Sequence, residues 1–147
     1  MPTPRLDNER IALWRQLDIT VSAVRRAIDQ SLTDEHDLPL AWFEVLAALR
    51  DADGTMRVGE LRDRLDEVAS SLSRRLDRME AAGLIEREPL PSAPDRRAVG
   101  VVLTQEGRLS WRDASVTFRR CLQQHLASRL TDTDIAALHR VIGKAER

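Results

Sequence analysis

A mainly α fold interrupted by one β-hairpin is what this 147-residue sequence predicts, and three observations predict it. Apolar residues recur at steps of three and four along most of the chain, which is the helical period. Charged residues make up 32% of the chain and aromatic residues only 3%, a balance that suits Arg-laced helices better than sheets built on Tyr, Phe and Trp. Between residues 85 and 104 the period drops to two on either side of a Pro-rich stretch. The length suits one domain, 1–147, with helical arms.

Each element follows from local pattern. Leu13, Leu17, Val21, Val24, Ile28 and Leu32 make one stripe of a long helix over about 7–33. "HDLPL" breaks it, and Pro39 opens a second helix in which Trp42, Val45, Leu46 and Leu49 sit at i, i+3, i+4 and i+7, ending near "DADG". "VGELRDRLDE" reads as a short third helix with Val58, Leu61 and Leu65 on one side. After a turn comes "ASSLSRRLDRMEAAGLIERE", where Ser70 or a neighbour can cap a helix, Leu72, Leu76 and Met79 form its buried stripe, and Gly83 suits the left-handed position after its end. Ile85 onward and Val99, Val101 and Leu103 read as paired strands joined by "PLPSAPDRR". Thr104 then caps a long helix carrying Leu109, Val116, Leu122 and Leu126, and Thr131 with Asp134 forms a capping box for a last helix with Ile135, Leu138 and Ile142.

Short helix, turn and second helix with a polar outer face is the helix-turn-helix pattern, and a hairpin directly after it makes a winged helix. That order explains the loop "EREPLPSAPDRRAVGVVLT". A narrow minor groove concentrates negative potential and attracts Arg, so Arg96 and Arg97 have a physical reason to stand on a Pro-stiffened wing, where Asp95 can orient one of them by a salt bridge.

Composition bounds the rest. The net charge of −1 and pI near 6.3 do not advertise a polyanion partner, so any nucleic-acid reading rests on local placement. Between Arg57 and Arg97 stand nine Arg and nine acidic residues, so the module is neutral on average. No apolar run approaches the roughly 18 residues of a spanning helix, and "MPTPRLDNER" lacks an apolar signal core; the expected location is the cytoplasm, with no membrane partner. One Cys, three scattered His, no Gly-rich phosphate loop and no nucleophile motif argue against an enzyme and against a cofactor. Cys121, His125 and His139 are too few and too scattered for a metal site, and Cys121 reads as a core thiol. His36 reads as solvated, and Arg78 as paired with Asp77 or Glu80.

The runs "LPLAWFEVLAALRDADGTMRVGELRDRL", "SSLSRRLDRMEAAGLIERE" and "PDRRAVGVVLTQEGR" resemble, in strict order over about residues 38–108, the MarR family of bacterial transcription regulators. "DRMEAAGLIER", "DRR" and "LTQEG" are the most specific pieces. The resemblance implies a winged helix-turn-helix DNA-binding region at 38–104 and a helical dimerisation region at 7–36 and 105–147. It implies a homodimeric, ligand-responsive repressor on a pseudo-palindromic double-stranded operator, with a small aromatic or anionic effector bound in a cleft near Trp14 and Trp42. Ser70, Ser71, Ser73 and Arg74 match the DNA-facing positions of the recognition helix, and Asp95 and Arg97 the wing pair. Two departures stand out. Asp66, Glu67 and Val68 replace the family's Gly and Ser or Thr in the tight turn, and Arg75 replaces an apolar residue, so that it either snorkels or reaches a phosphate. The acidic turn favours an alternative, a helical protein-protein interaction module that no longer binds DNA.

Overall fold

The computed structural model describes residues 4–90, 94, 95 and 97–146. Its elements run α1 (Asn8–His36), α2 (Leu40–Asp51), β1 (Thr55–Arg57), α3 (Val58–Leu65), α4 (Ala69–Ala81), β2 (Ile85–Pro89), β3 (Val99–Leu103), α5 (Gln105–His125), a 3-10 turn (Ala127–Arg129) and α6 (Asp132–Ala145). This is the mainly α, winged helix-turn-helix arrangement that the sequence predicts.

α1 runs three residues beyond its expected end because Asp37 takes the left-handed conformation, φ 50°, and returns its N–H to the carbonyls of Leu32 and Thr33. Asp tolerates that conformation at lower cost than most residues. Pro39 has no side chain with which to cap α2, and the cap comes from α1, where Asp29 Oδ1 accepts from Leu40 N at 2.8 Å. The core gathers around α2: Leu32, Leu46, Leu49, Leu61, Leu72, Leu76 and Val101 are at most 1% exposed. Each such side chain contributes roughly 1.5–3 kcal/mol of transfer free energy.

The hairpin is a three-stranded antiparallel sheet of order β1-β3-β2, in which Val101 of β3 faces Met56 on one side and Arg87 on the other. β1 has no signature in the sequence, because three residues contain a single alternation.

One joint ties the module to α5. Gly83 follows α4 at φ 78°, and its carbonyl accepts from the Thr104 hydroxyl at 2.7 Å. The same hydroxyl oxygen accepts from Gly107 N at 3.0 Å, capping α5. A Cβ at Gly107 would lie 2.1 Å from the Leu84 carbonyl oxygen, so only glycine lets the helix start so close. "GLI" and "LTQEG" are therefore two halves of one structural contact.

Four expectations need correcting. The α1 stripe is buried only from Val24 onward; Leu13, Leu17 and Val21 are 58%, 47% and 56% exposed. The inward face of α5 is Gly107, Trp111, Ala114, Phe118 and Cys121 rather than the line through Leu109 and Val116. That face is chosen by small residues that admit close approach and by Phe118, whose ring stacks on Phe43 at 4.7 Å. Ser70 does not cap α4, because the residue at that position is Val68 and no side chain caps it. His36 is not free in solvent: its Nε2 lies 2.8 Å from Thr117 Oγ1. Thr117 spends its one hydroxyl proton on Glu35 Oε2 at 2.8 Å, so His36 Nε2 is the donor. Cys121 is 2% exposed, and Thr131 and Asp134 form the expected capping box.

Candidate nucleic-acid interface

α3, the turn 66–68 and α4 form the helix-turn-helix. The turn keeps the geometry a glycine would supply: Asp66 sits at φ 51°, and its N–H and that of Glu67 close the end of α3. Glu67 then folds back onto Arg75, with Nη1 to Oε1 at 2.5 Å and side chains only 20% and 14% exposed. Glu67 and Arg75, one residue from each departure, thus form a single contact. Glu67 in the turn and Arg75 in the helix neutralise each other, whereas Asp66 is exposed and has no ion pair among the described residues. Arg75 is committed to that pair.

Ser70, Ser71, Ser73 and Arg74 are all exposed. Among the described residues the three hydroxyls make no hydrogen bond, while Arg74 Nε donates to the Ser70 carbonyl at 3.3 Å, which lays the side chain along the outside of α4. Leu72, Leu76 and Met79 occupy the opposite side in the core, so the amphipathic split of α4 sets which face is free.

Arg78 does not take the partners expected for it. Asp77 and Glu80 are both held by Arg87 of β2, which pairs with Asp77, approaches Glu80 Oε2 at 3.3 Å and donates its backbone N–H to the same oxygen at 3.0 Å. Asp77 and then Glu80 raise the Arg87 pKa above its ordinary value. Arg78 is left without an ion pair among the described residues and borders, with Pro39, Trp42, Ser71, Arg74 and Arg75, an open recess of about 420 Å³. Its adjacency to Asp77 pointed to the wrong partner, because a strand 10 residues later in sequence supplies the better-placed cation.

On the wing, Asp95 does not make a salt bridge to Arg97. Its Oδ1 accepts from Arg97 N at 2.9 Å and its carbonyl accepts from Ala98 N at 3.0 Å, so it shapes the turn. The Arg97 guanidinium makes no ion pair among the described residues, and the residue borders a cleft of about 520 Å³ with Arg57 at the end of β1 and the first turn of α3, including Glu60. Arg96 lies outside the described residues, as do Pro91, Ser92 and Ala93.

Ion pairing therefore sorts the arginines of a neutral module. Arg57, Arg62, Arg64, Arg75 and Arg87 each stand within 4.0 Å of a carboxylate. Among the described residues of this segment, Arg74, Arg78 and Arg97 do not. The arginines without an ion pair lie on α4 and on the wing, while among the described residues of the segment Asp66, Glu86, Glu88 and Asp95 are the carboxylates without one.

The two tryptophans expected near an effector cleft are separated. Trp42 borders the recess beside Arg74 and Arg78, whereas Trp14 is 69% exposed on the N-terminal half of α1. A cleft of about 460 Å³ instead lies between α2, α3 and α5, lined by Phe43, Trp111, Phe118, Arg64 and Arg119 among others. Arg50 stacks over the Trp111 ring at 4.4 Å, and Trp111 Nε1 is buried without a hydrogen-bond partner among the described residues. No group of His, Cys, Asp and Glu among the described residues could hold a metal ion, and none of their helices is long and apolar enough to cross a membrane.

A helix-turn-helix with an exposed polar recognition face and an adjoining arginine-bearing wing defines a DNA-binding module. A model of the MarR family matches residues 36–98. The multiple antibiotic resistance protein MarR of Escherichia coli (strain K12) is 32% identical over 142 residues, covering 97% of this chain and 96% of that protein. The fold matches that of a MarR variant from E. coli complexed with operator DNA, with TM-score 0.82, 30% identity, and 97% and 99% of the two chains covered. It also matches Sco3205, a MarR family transcriptional regulator from Streptomyces coelicolor in complex with DNA, with TM-score 0.87, 23% identity, and 98% and 90% covered. The chain belongs to the MarR family and is a DNA-binding transcriptional regulator.

Proposed function

We propose that the protein is a cytoplasmic, homodimeric repressor that releases a pseudo-palindromic operator in response to a small aromatic or anionic effector, and that it catalyses no reaction. The observation that carries the DNA-contact assignment is the sorting of charge: Arg74, Arg78 and Arg97 are left unpaired while the other described arginines of the module are neutralised. Seryl hydroxyls at 70, 71 and 73 read base edges and phosphates from the major groove; Arg74 and Arg78 supply phosphate or guanine contacts, and Arg97, with Arg96 and Asp95, the wing contact. Arg75 acts through the turn, by way of Glu67.

The exposed apolar side chains support the division into regions. Leu13, Leu17, Ile19 and Val21 on α1, and Ile135, Leu138, Val141 and Ile142 on α6, are 40–60% exposed in the single chain. They belong to the proposed dimerisation region at 7–36 and 105–147, around a DNA-binding region at 38–104. The cleft between α2, α3 and α5 spans the two regions and is roomy enough for one aromatic molecule. An effector there would bias the spacing of the two recognition helices.

Arg97→Ala should weaken binding to the protein's own upstream intergenic DNA and reduce the slope of log affinity against log salt by about one. Gel shifts at several salt concentrations measure both; an unchanged slope would remove the wing from the interface.

A further inference from the structure

We propose that Val68 is a base-reading residue, its side chain packing against the C5-methyl group of a thymine in the major groove and so setting operator preference at one position of each half-site. This rests on the DNA-binding reading above and names a specificity determinant within it.

Val68 is 71% exposed at the start of the recognition helix. Among the described residues, the large apolar side chains left in the open otherwise lie on α1, α5, α6 or at their ends, apart from Val99 at the foot of the wing, 38% exposed. Val68 therefore stands alone in an exposed stretch of the module, between Glu67 and the run Ala69, Ser70, Ser71.

Valine there has two costs and no return within the fold. It leaves α4 without the side-chain cap that Ser, Thr, Asp or Asn would supply. It also keeps two methyl groups in water. By spacing it belongs to the column of Leu72 and Leu76, both 1% exposed, but its extended backbone, φ −77° and ψ 134°, lifts it off the end of that column.

The side chain is nonetheless held at a defined place. The Glu67–Arg75 pair, at 2.5 Å, pins the residue before it to the helix after it, and the left-handed Asp66 closes α3 just upstream. Recognition helices of this kind reach base edges with their N-terminal residues. On those edges the thymine methyl is the apolar feature, and an aliphatic side chain is its natural contact, while neighbouring hydroxyls serve the polar atoms.

The test uses the full-length protein and duplexes that it selects from a random pool. Each thymine of the selected half-site is replaced in turn by deoxyuridine, which deletes the methyl group and keeps the base pair. Wild type should lose about three- to tenfold in affinity at one thymine per half-site and little elsewhere. Val68→Ala should discriminate clearly less than wild type between the thymine and uracil duplexes, with an unchanged salt slope and unchanged circular dichroism. Three results overturn the proposal: a variant as sensitive to deoxyuridine as wild type, a wild type indifferent to every replacement, or a selected half-site without thymine. Should wild type enrich no sequence at all, the DNA-binding reading itself fails, an outcome distinct from the other three.

Discussion

Residues 38–104 and the helices around them treat apolar side chains in opposite ways. In the module, Leu46, Leu49, Leu61, Leu72, Leu76 and Val101 are sealed to within 1% of full burial. In the arms, α6 has no buried residue, and the first half of α1 shows Leu13, Trp14, Leu17 and Val21 to solvent. A stable single chain rarely leaves so much apolar surface open unless something covers it. The module buries its apolar faces within one chain, and in the proposed dimer the arms would bury theirs against a second copy.

The largest test of that contrast is Leu138→Asp. A carboxylate in the proposed interface should abolish the dimer, halving the mass seen by light scattering, and with it tight operator binding. Melting temperature should rise with protein concentration in wild type and stop doing so in the variant. If both proteins have the mass of one chain, the arms are not the dimer interface. Leu49→Ala, in the module, should behave in the reverse manner: the dimer persists, and stability falls by about 2–5 kcal/mol in urea unfolding. A loss below 1 kcal/mol would mean that the module's core tolerates vacancies.

A smaller effect sharpens the boundary between the regions. The C-terminal end of α1 is fastened to α5 by Glu35, which accepts from the Thr117 hydroxyl and pairs with Arg120. The Thr117 hydrogen bond, and after it Arg120, lower the Glu35 pKa below its ordinary value of 4.5. A depressed carboxyl contributes stability above its unfolded value and loses it as pH falls through the folded one. Acid sensitivity should therefore set in below about pH 4.5, and Glu35→Gln should flatten the urea midpoint against pH in that range. Equal slopes in the two proteins would show that other carboxyls carry it.

What could be read from the chain differs between these regions for a physical reason. Helix periodicity, the Thr131–Asp134 box, the Thr104 cap and Gly83 are local, decided within a turn or two, and they stand where the sequence puts them. The recognition face was legible too, because the column of Leu72, Leu76 and Met79 assigns Ser70 and Arg74 to the other side. The stripe on α5 was misread because apolar character by itself does not separate surface buried in one chain from surface left for another. Partner choice among charges was equally hidden: Arg78 has acidic neighbours in sequence, yet Arg87 reaches back from β2 and takes them.

The sequence by itself determined the order and type of nearly every element and the residues that make α4 polar outside, since periodicity, caps and turn residues act over a few positions. Tertiary structure alone decided which arginines stay uncompensated, that Asp66, Glu67 and Arg75 rebuild a turn without glycine, and that Val68 stands in the open. Those outcomes depend on which groups converge from distant parts of the chain, and electrostatic pairing and burial are settled by distance in space.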